Sequence, residues 1–133
     1  MRLELTRRGD YAMRAMLHLA RTDEDAVSAT AIARSTQIPA RFVGQVMGDL
    51  VRAGLVDARI GRRGGYWLAR PAVDINLLEI VEAVEGDTRR KTCVLRDAAC
   101  SREGACDVHE VFAAAQDALI SRLSGSTLAA AAR

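Results

Sequence analysis

The hydrophobic pattern of the chain changes its period at Gly54, and this change limits the possible folds more than any other feature. Before Gly54 the apolar residues recur at the spacing of amphipathic helices. After it, two short strand-like segments, residues 55–60 and 66–70, flank the turn Gly61-Arg62-Arg63-Gly64-Gly65. Because glycine tolerates the positive φ of tight turns, the sequence predicts a two-stranded hairpin directly behind a helical unit.

Three helices are predicted ahead of the hairpin. The first covers residues 7–21 and carries an apolar stripe formed by Ala12, Met16, Leu19 and Ala20. Ser28 can cap a short second helix, and Pro39 lies near the first position of a third, which runs to about residue 53. The apolar residues of the third helix recur once per turn: Phe42, Val43, Val46, Met47, Leu50 and Val51. Helix, short turn, helix and hairpin predict a mainly α fold, the winged helix-turn-helix.

A second segment follows Pro71, so we divide the chain into residues 1–72, the winged helix-turn-helix unit, and residues 73–133. Asn76 and Glu79 resemble a capping box that opens a helix ending at Gly86. Residues 87–105 lack periodicity. Asp107 and Glu110 are expected to open a long helix, and Ser126 or Thr127 to cap a final alanine-rich turn. The apolar stripe predicted for the long helix is Val111, Ala115, Leu119 and Leu123.

Charge is divided unevenly along the chain. Residues 1–70 hold twelve arginines and seven acidic residues, a balance of +5, whereas residues 71–133 have a balance of −3. A basic winged helix-turn-helix predicts contact with double-stranded DNA. A solvated helix face is the alternative interpretation for the third helix. The candidate DNA-binding residues are Arg41 and Gln45 on the third helix, Arg62 and Arg63 at the hairpin tip, and Arg59, Arg7 and Arg8 as contacts to the DNA backbone.

All three cysteines lie in one short polar segment, at Cys93, Cys100 and Cys106, and His109 follows three positions later. Thiolates gathered in an aperiodic segment favour a soft metal or an iron–sulfur cluster over a packed core. Basic residues nearby favour the thiolate form: Arg89, Arg90, Lys91 and Arg96. Zinc and metal-free redox thiols are the alternatives, although the ligand pairs two residues apart that are usual for zinc are absent from the sequence.

Other classes of function find little support in the sequence. It contains no phosphate-binding loop, no Cys-x-x-Cys pair and only two histidines, His18 and His109, so we do not expect an enzyme. No apolar run resembles a signal peptide or could cross a bilayer, and a cytoplasmic protein is therefore expected. A protein-interaction adaptor is a further possibility, but it would have no need of arginines at the hairpin tip.

Several motifs resemble those of the IscR/NsrR family of bacterial transcription regulators. The motifs are Met1-Arg-Leu3, Asp10-Tyr-Ala-Met-Arg-Ala-Met16, Arg52-Ala-Gly-Leu-Val56, Gly64-Gly-Tyr66, Leu78-Glu-Ile-Val-Glu-Ala-Val-Glu-Gly86 and the three cysteines. The resemblance covers nearly the whole chain. It implies a homodimeric winged-helix regulator, expected to be a repressor that binds a palindromic operator. The helix near Asp107 would then pair with its mate, so residues 73–133 comprise a linker helix, a cysteine loop and a dimerisation helix.

The same resemblance implies an iron–sulfur cluster, 2Fe–2S or 4Fe–4S, that senses redox state, nitric oxide or iron–sulfur status. Its ligands would be Cys93, Cys100 and Cys106, whose spacing does not determine the type of cluster. The fourth ligand is either His109 or Asp10 of the partner subunit. We favour His109 because it lies close to the cysteines in the chain. A metal-free thiol or small-ligand sensor with the same DNA-binding head is the alternative function.

Overall fold

The structure is a computed structural model that describes residues 2–89, Leu95 and residues 107–133. In these residues the chain forms α1 (Arg7–Arg21), α2 (Ala29–Thr36), α3 (Ala40–Arg52), β1 (Val56–Arg59), β2 (Gly65–Leu68), a 3-10 turn (Ala72–Asp74), α4 (Leu77–Glu85), α5 (His109–Ser124) and α6 (Leu128–Ala131). The mainly α fold with a two-stranded wing, predicted from the change of period, is confirmed.

Side-chain caps set the beginnings of most helices. The Ser28 hydroxyl accepts a hydrogen bond from a backbone N–H of the first turn of α2, at 3.1 Å. Asn76 and Glu79 form the predicted capping box of α4, with both hydrogen bonds at 3.0 Å. Thr6 and Thr127 cap α1 and α6 in the same manner as Ser28. Each cap satisfies an N–H group that the helix itself leaves without a partner, so these boundaries follow from local sequence.

A single hydrophobic cluster joins the two segments of the chain. From the first segment it includes Ala12, Ala15, Met16, Leu19, Val27, Ile32, Ile38, Val43, Val46, Met47, Leu50, Leu55 and Val56. Ile75, Ile80 and Leu128 of the second segment belong to the same cluster, and each is fully buried. Leu128 reaches it because a β-bridge between Asn76 and Thr127 draws the end of the chain against the start of α4. Residues beyond α5 are therefore part of the core.

The buried face of α3 differs from the predicted one at two positions. Val51 was predicted on the apolar face but is exposed, whereas Asp49 is buried, with 8% of its surface accessible. On the helical wheel these two residues lie at opposite edges of the face centred on Leu50. The edge that carries Asp49 is covered because Arg8 of α1 pairs with it. Burial of a carboxylate requires partners, and Asp49 has two, Arg8 and Arg52.

The wing, which consists of β1, β2 and the turn between them, is stabilised by the segment that precedes α2. β1 pairs with β2 in antiparallel register, with Asp57 opposite Trp67. Val27 adds an isolated bridge to Tyr66, through backbone hydrogen bonds of 2.8 and 2.9 Å. Gly65 has a φ of 144°, and a Cβ there would lie 2.6 Å from the carbonyl oxygen of Val27. The close approach of the two backbones therefore requires glycine at this position.

Helix α5 begins later than predicted, and none of its side chains is fully buried. Asp107 was expected to open the helix but lies in a turn, and Val108 occupies the capping position without a side-chain hydrogen bond. None of the residues of α5 is buried, and the side chain of Val111, on its predicted apolar stripe, is 70% exposed. Val111 and Ala115 are exposed and Leu119 and Leu123 are partly buried, so the first half of the stripe is an apolar surface that the described residues do not cover.

Candidate nucleic-acid interface and sensor segment

One exposed face of α3 carries the predicted reading residues. Arg41 and Gln45 are both exposed and lie one turn apart. Gly48 and Arg52 continue the same face toward the end of the helix. The Arg41 guanidinium lies over the Phe42 ring, 4.8 Å from its centroid, which holds the charge at the start of the helix. This face, which we call the reading face (Arg41, Gln45, Gly48 and Arg52), presents donors without bulky side chains between them.

The wing tip presents a second basic surface. Arg62 and Arg63 are exposed in the turn between β1 and β2. Arg59 donates a hydrogen bond of 3.3 Å to the carbonyl oxygen of Arg63 and lies 5.9 Å from the centroid of the Trp67 ring. Tyr66, which alternates with Trp67 on the strand, packs against the core. The wing thus has an apolar base and a tip occupied by guanidinium groups, an arrangement suited to phosphates or a narrow groove.

Arg7 and Arg8 are exposed in the first turn of α1, and Arg8 is engaged in an interaction that the sequence did not reveal. Its guanidinium pairs with one oxygen of the buried Asp49, and Arg52 pairs with the other. The spacing of Asp49 and Arg52, three residues apart on a helix, could have suggested the second pair. The first pair joins residues 41 positions apart, so no local pattern indicates it.

The two candidates for a fourth ligand lie on different helices. Asp10, in the first turn of α1, is held by Arg14 through contacts of 3.0 and 3.1 Å, and both side chains line an open groove of about 640 Å³. His109 is the first residue of α5 and is exposed. The predicted ligands Cys93, Cys100 and Cys106 lie outside the described residues. Within residues 2–89, 95 and 107–133, no group of three or more His, Cys, Asp or Glu side chains could hold a metal ion.

Two residues that precede the cysteine segment (residues 93–106) contact α5 and the start of α1. Arg89, just before the segment, forms an ion pair of 2.8 Å with Asp117 on α5. Glu85, at the end of α4, accepts a hydrogen bond of 2.6 Å from the Thr6 N–H, at the start of α1. Gly9 lies beside the same carboxylate: a Cβ there would be 2.9 Å from the Glu85 carboxyl carbon. The residues that lead into the cysteine segment are therefore in contact with both α1 and α5.

An exposed helix face next to an arginine-tipped wing defines a winged-helix DNA-binding protein. A family model for Rrf2, described as an iron-dependent transcriptional regulator, matches residues 5–133. The chain belongs to the Rrf2 family of transcription regulators. The relatives found are regulators and not enzymes, in agreement with the sequence. No helix in the described part of the chain is long and apolar enough to cross a membrane.

Named relatives and solved structures agree with this assignment. An rrf2-like HTH-type regulator of Rhodobacter capsulatus is 33% identical over 118 residues, which is 82% of this chain and 79% of that protein. The regulator IscR of Cereibacter sphaeroides is 41% identical over 86 residues, 62% of this chain and 56% of that protein. CymR, the global cysteine regulator of B. subtilis, superposes with a TM-score of 0.80 at 26% identity, covering 98% and 97% of the two chains. IscR of T. potens gives a TM-score of 0.74 at 28% identity, covering 96% of this chain and 85% of that one.

Proposed function

We propose that the protein is a homodimeric, cytoplasmic transcription repressor whose affinity for a palindromic operator is controlled by an iron–sulfur cluster. The observation that carries the proposal is the joint presence, in one Rrf2 chain, of a basic winged-helix surface and three cysteines clustered between α4 and α5. The winged-helix surface would bind DNA. The cysteines would form a chemical sensor, and residues just before them contact α5 and the start of α1.

The DNA-binding part of the proposal follows from the placement of donors. Helix α3 can enter the major groove, where Arg41 and Gln45 would meet base edges. Arg62 and Arg63 would then reach a flanking backbone or minor groove, with Arg59 behind them, and Arg7 would contact a phosphate near α1. A two-fold dimer presents two winged-helix units to half-sites one helical turn apart. Because the two units are related by symmetry, we expect the operator to be a palindrome.

Helix α5 is the surface that we assign to dimerisation. It has 16 residues, none of them buried, and Val111 and Ala115 of its apolar stripe are exposed while Leu119 and Leu123 are partly exposed. A second copy of the same stripe would cover it in a self-complementary, two-fold contact. Because α5 packs on α4, and α4 on α1, such a contact would determine the distance between the two reading faces.

The donor set suits an iron–sulfur cluster. Three thiolates and one imidazole or carboxylate are accepted by such clusters. Bound there, the group would supply reactivity toward oxidants and nitric oxide. We favour His109 as the fourth ligand, because α5 presents it directly after the cysteine segment. Asp10 would first have to release Arg14, which holds both of its oxygens.

The contacts beside the cysteine segment offer a route from sensor to DNA. Cluster binding by the three cysteines would act on Arg89 and its partner Asp117, and so on α5. Further upstream it would act on Glu85, whose carboxylate accepts a hydrogen bond from the Thr6 N–H at the start of α1. A shift of a few ångströms in either helix would change the spacing of two heads that must match half-sites about 34 Å apart.

Purification without oxygen tests the cofactor. We expect a coloured protein that contains iron and acid-labile sulfide, and loss of both in a variant with Cys100→Ser. Protein that is colourless and free of iron would reject the cluster. Zinc in its place would leave metal control but no redox chemistry.

A metal-free thiol sensor is the second candidate function, and the structural similarity to CymR, a cysteine regulator, favours it. The same preparation separates the two functions. A colourless protein whose operator affinity still changes when its thiols are oxidised would support the thiol sensor. A coloured protein whose affinity follows its iron content would support the cluster.

The wing tests DNA binding independently of the cofactor. Replacing Arg62 and Arg63 with glutamine should lower the slope of log affinity against log salt by about 2 per chain, since each phosphate contact contributes about 0.9. The matched control replaces Arg21 and Arg133, which removes the same charge. These two lie near one another, because Arg21 donates a hydrogen bond to the carbonyl oxygen of Ala132. Equal slopes in the two double variants would reject a wing contact.

A further inference from the structure

Asp49 is the one charged residue that is buried among those the structure describes, and its surroundings suggest a function beyond stability. Its side chain is 10% exposed, and each of its two oxygens is taken by a different guanidinium. Arg8 comes from α1 and Arg52 from the last turn of α3. A single carboxylate thus brings together two arginines from different helices.

The two guanidinium groups remain available to a ligand. The side chain of Arg8 is 49% exposed and that of Arg52 is 72% exposed, so both lie at the surface around the buried Asp49. A guanidinium has five N–H donors, and the contact with Asp49 uses only part of this capacity. The group of three keeps a net positive charge. Two guanidiniums that a carboxylate already orients form a suitable binding site for an anion.

The position of this group relates it to the reading face. Arg52 lies on that face, at positions that follow Arg41, Gln45 and Gly48 at helical spacing. Arg41 and Arg52 are about 16 Å apart along the helix axis, more than the width of about 12 Å of the major groove. A helix that reads bases with Arg41 therefore carries Arg52 to the edge of the groove, where the phosphates lie.

We propose that Asp49 holds Arg8 and Arg52 as a clamp for a DNA phosphate at the far end of the reading face. Arg8 and Arg52 contact the phosphate, and Asp49 is a positioning residue that fixes both guanidiniums. The clamp rests on the proposed DNA-binding function and extends it, because it assigns roles to Asp49 and Arg52 that lie outside the predicted contacts. It does not depend on the cluster.

Salt-dependent binding to a duplex of unrelated sequence tests the clamp, because phosphate contacts do not require an operator. The 133-residue chain is titrated onto a labelled duplex of about 30 base pairs, long enough for two half-sites one turn apart. Arg8→Gln and Arg52→Gln should each lower the slope of log affinity against log salt concentration by about one per chain. Arg21→Gln should change this slope little. Slopes equal to that of Arg21→Gln would overturn the clamp.

A double-mutant cycle tests the role of Asp49. Asp49→Asn removes a negative charge. If charge alone matters, Arg52→Gln should lower the affinity for the duplex by the same factor in the wild type and in the Asp49→Asn variant. Positioning predicts instead that Arg52→Gln loses much less affinity when Asp49 is already asparagine. Equal effects in both backgrounds would reject positioning. Thermal unfolding of each variant identifies any loss of fold, and the exposed Arg8 and Arg52 variants keep the phosphate contact testable even if Asp49→Asn unfolds.

The outcomes separate the clamp from the function on which it rests. Wild-type protein that binds no duplex at low salt would reject DNA binding itself. Wild-type binding with normal slopes in the Arg8 and Arg52 variants would reject the clamp alone.

Discussion

Leu128→Ala should destabilise the whole protein although Leu128 lies close to the end of the chain. The leucine is 0% exposed and packs in the common core. Its N–H donates a hydrogen bond of 2.8 Å to the carbonyl oxygen of Ile75, and Leu77 donates one of 2.9 Å to that of Ser126. Truncation of a fully buried leucine costs about 3 kcal/mol, within the range of about 2–5 kcal/mol for such changes. For a chain of this size the melting temperature should fall by about 10 °C.

Circular dichroism during heating measures the change, and Leu3→Ala is the matched control. Leu3 is 82% exposed, so the same truncation there should cost less than about 0.5 kcal/mol. Because the segment around Leu128 ties the end of α5 to the start of α4, the Leu128 variant should also bind DNA less tightly near its melting temperature. Equal melting temperatures for the two variants would refute the inclusion of the C-terminal residues in the core.

Three further predictions concern the wing, acid stability and the fourth ligand. Gly65→Ala should destabilise the wing by about 1 kcal/mol or more, since its φ is 144° and a Cβ would clash; unchanged melting and DNA binding would count against this. Burial raises the pKa of Glu79, but hydrogen bonds from the Asn76 N–H and Arg70 outweigh it and hold the pKa below its ordinary value. The stabilisation by Glu79 is therefore present at neutral pH and is lost as the pH falls through the lowered pKa. In the Glu79→Gln variant the free energy of unfolding should consequently fall less steeply at acid pH than in the wild type, and an equal fall would contradict this. His109→Ala should change the visible spectrum of the anaerobic protein and Asp10→Ala should not; the reverse result would identify Asp10 as the ligand.

Much of the fold could be predicted because its signals are local. Ser28, the pair of Asn76 and Glu79, and Gly64 of the wing turn act on backbone groups within a few residues, whereas Gly65 meets the distant Val27. The effects of the local contacts can therefore be read directly from the sequence. The placement of Arg41 and Gln45 on one exposed face of α3 could be predicted for the same reason, because helical spacing alone sets it.

The features that could not be predicted depend on residues distant in the chain. Asp49 is buried because Arg8, 41 positions away, pairs with it. The alanine-rich end of the chain resembles a low-complexity tail, yet Leu128 joins the core through a bridge that begins at Asn76. The ligand set of Cys93, Cys100 and Cys106 stays a prediction, as do the division at residue 72 and the DNA contacts.

The most direct test of cluster control is the operator affinity of one preparation before and after nitric oxide treatment. The operator is first selected from random duplexes with anaerobically purified protein. We predict that treatment changes the affinity at least about tenfold, a coupling of about 1.4 kcal/mol. The same treatment should leave the affinity of a Cys93→Ser variant unchanged. Equal affinities before and after treatment of an iron-loaded wild-type protein would contradict the proposed control of DNA binding.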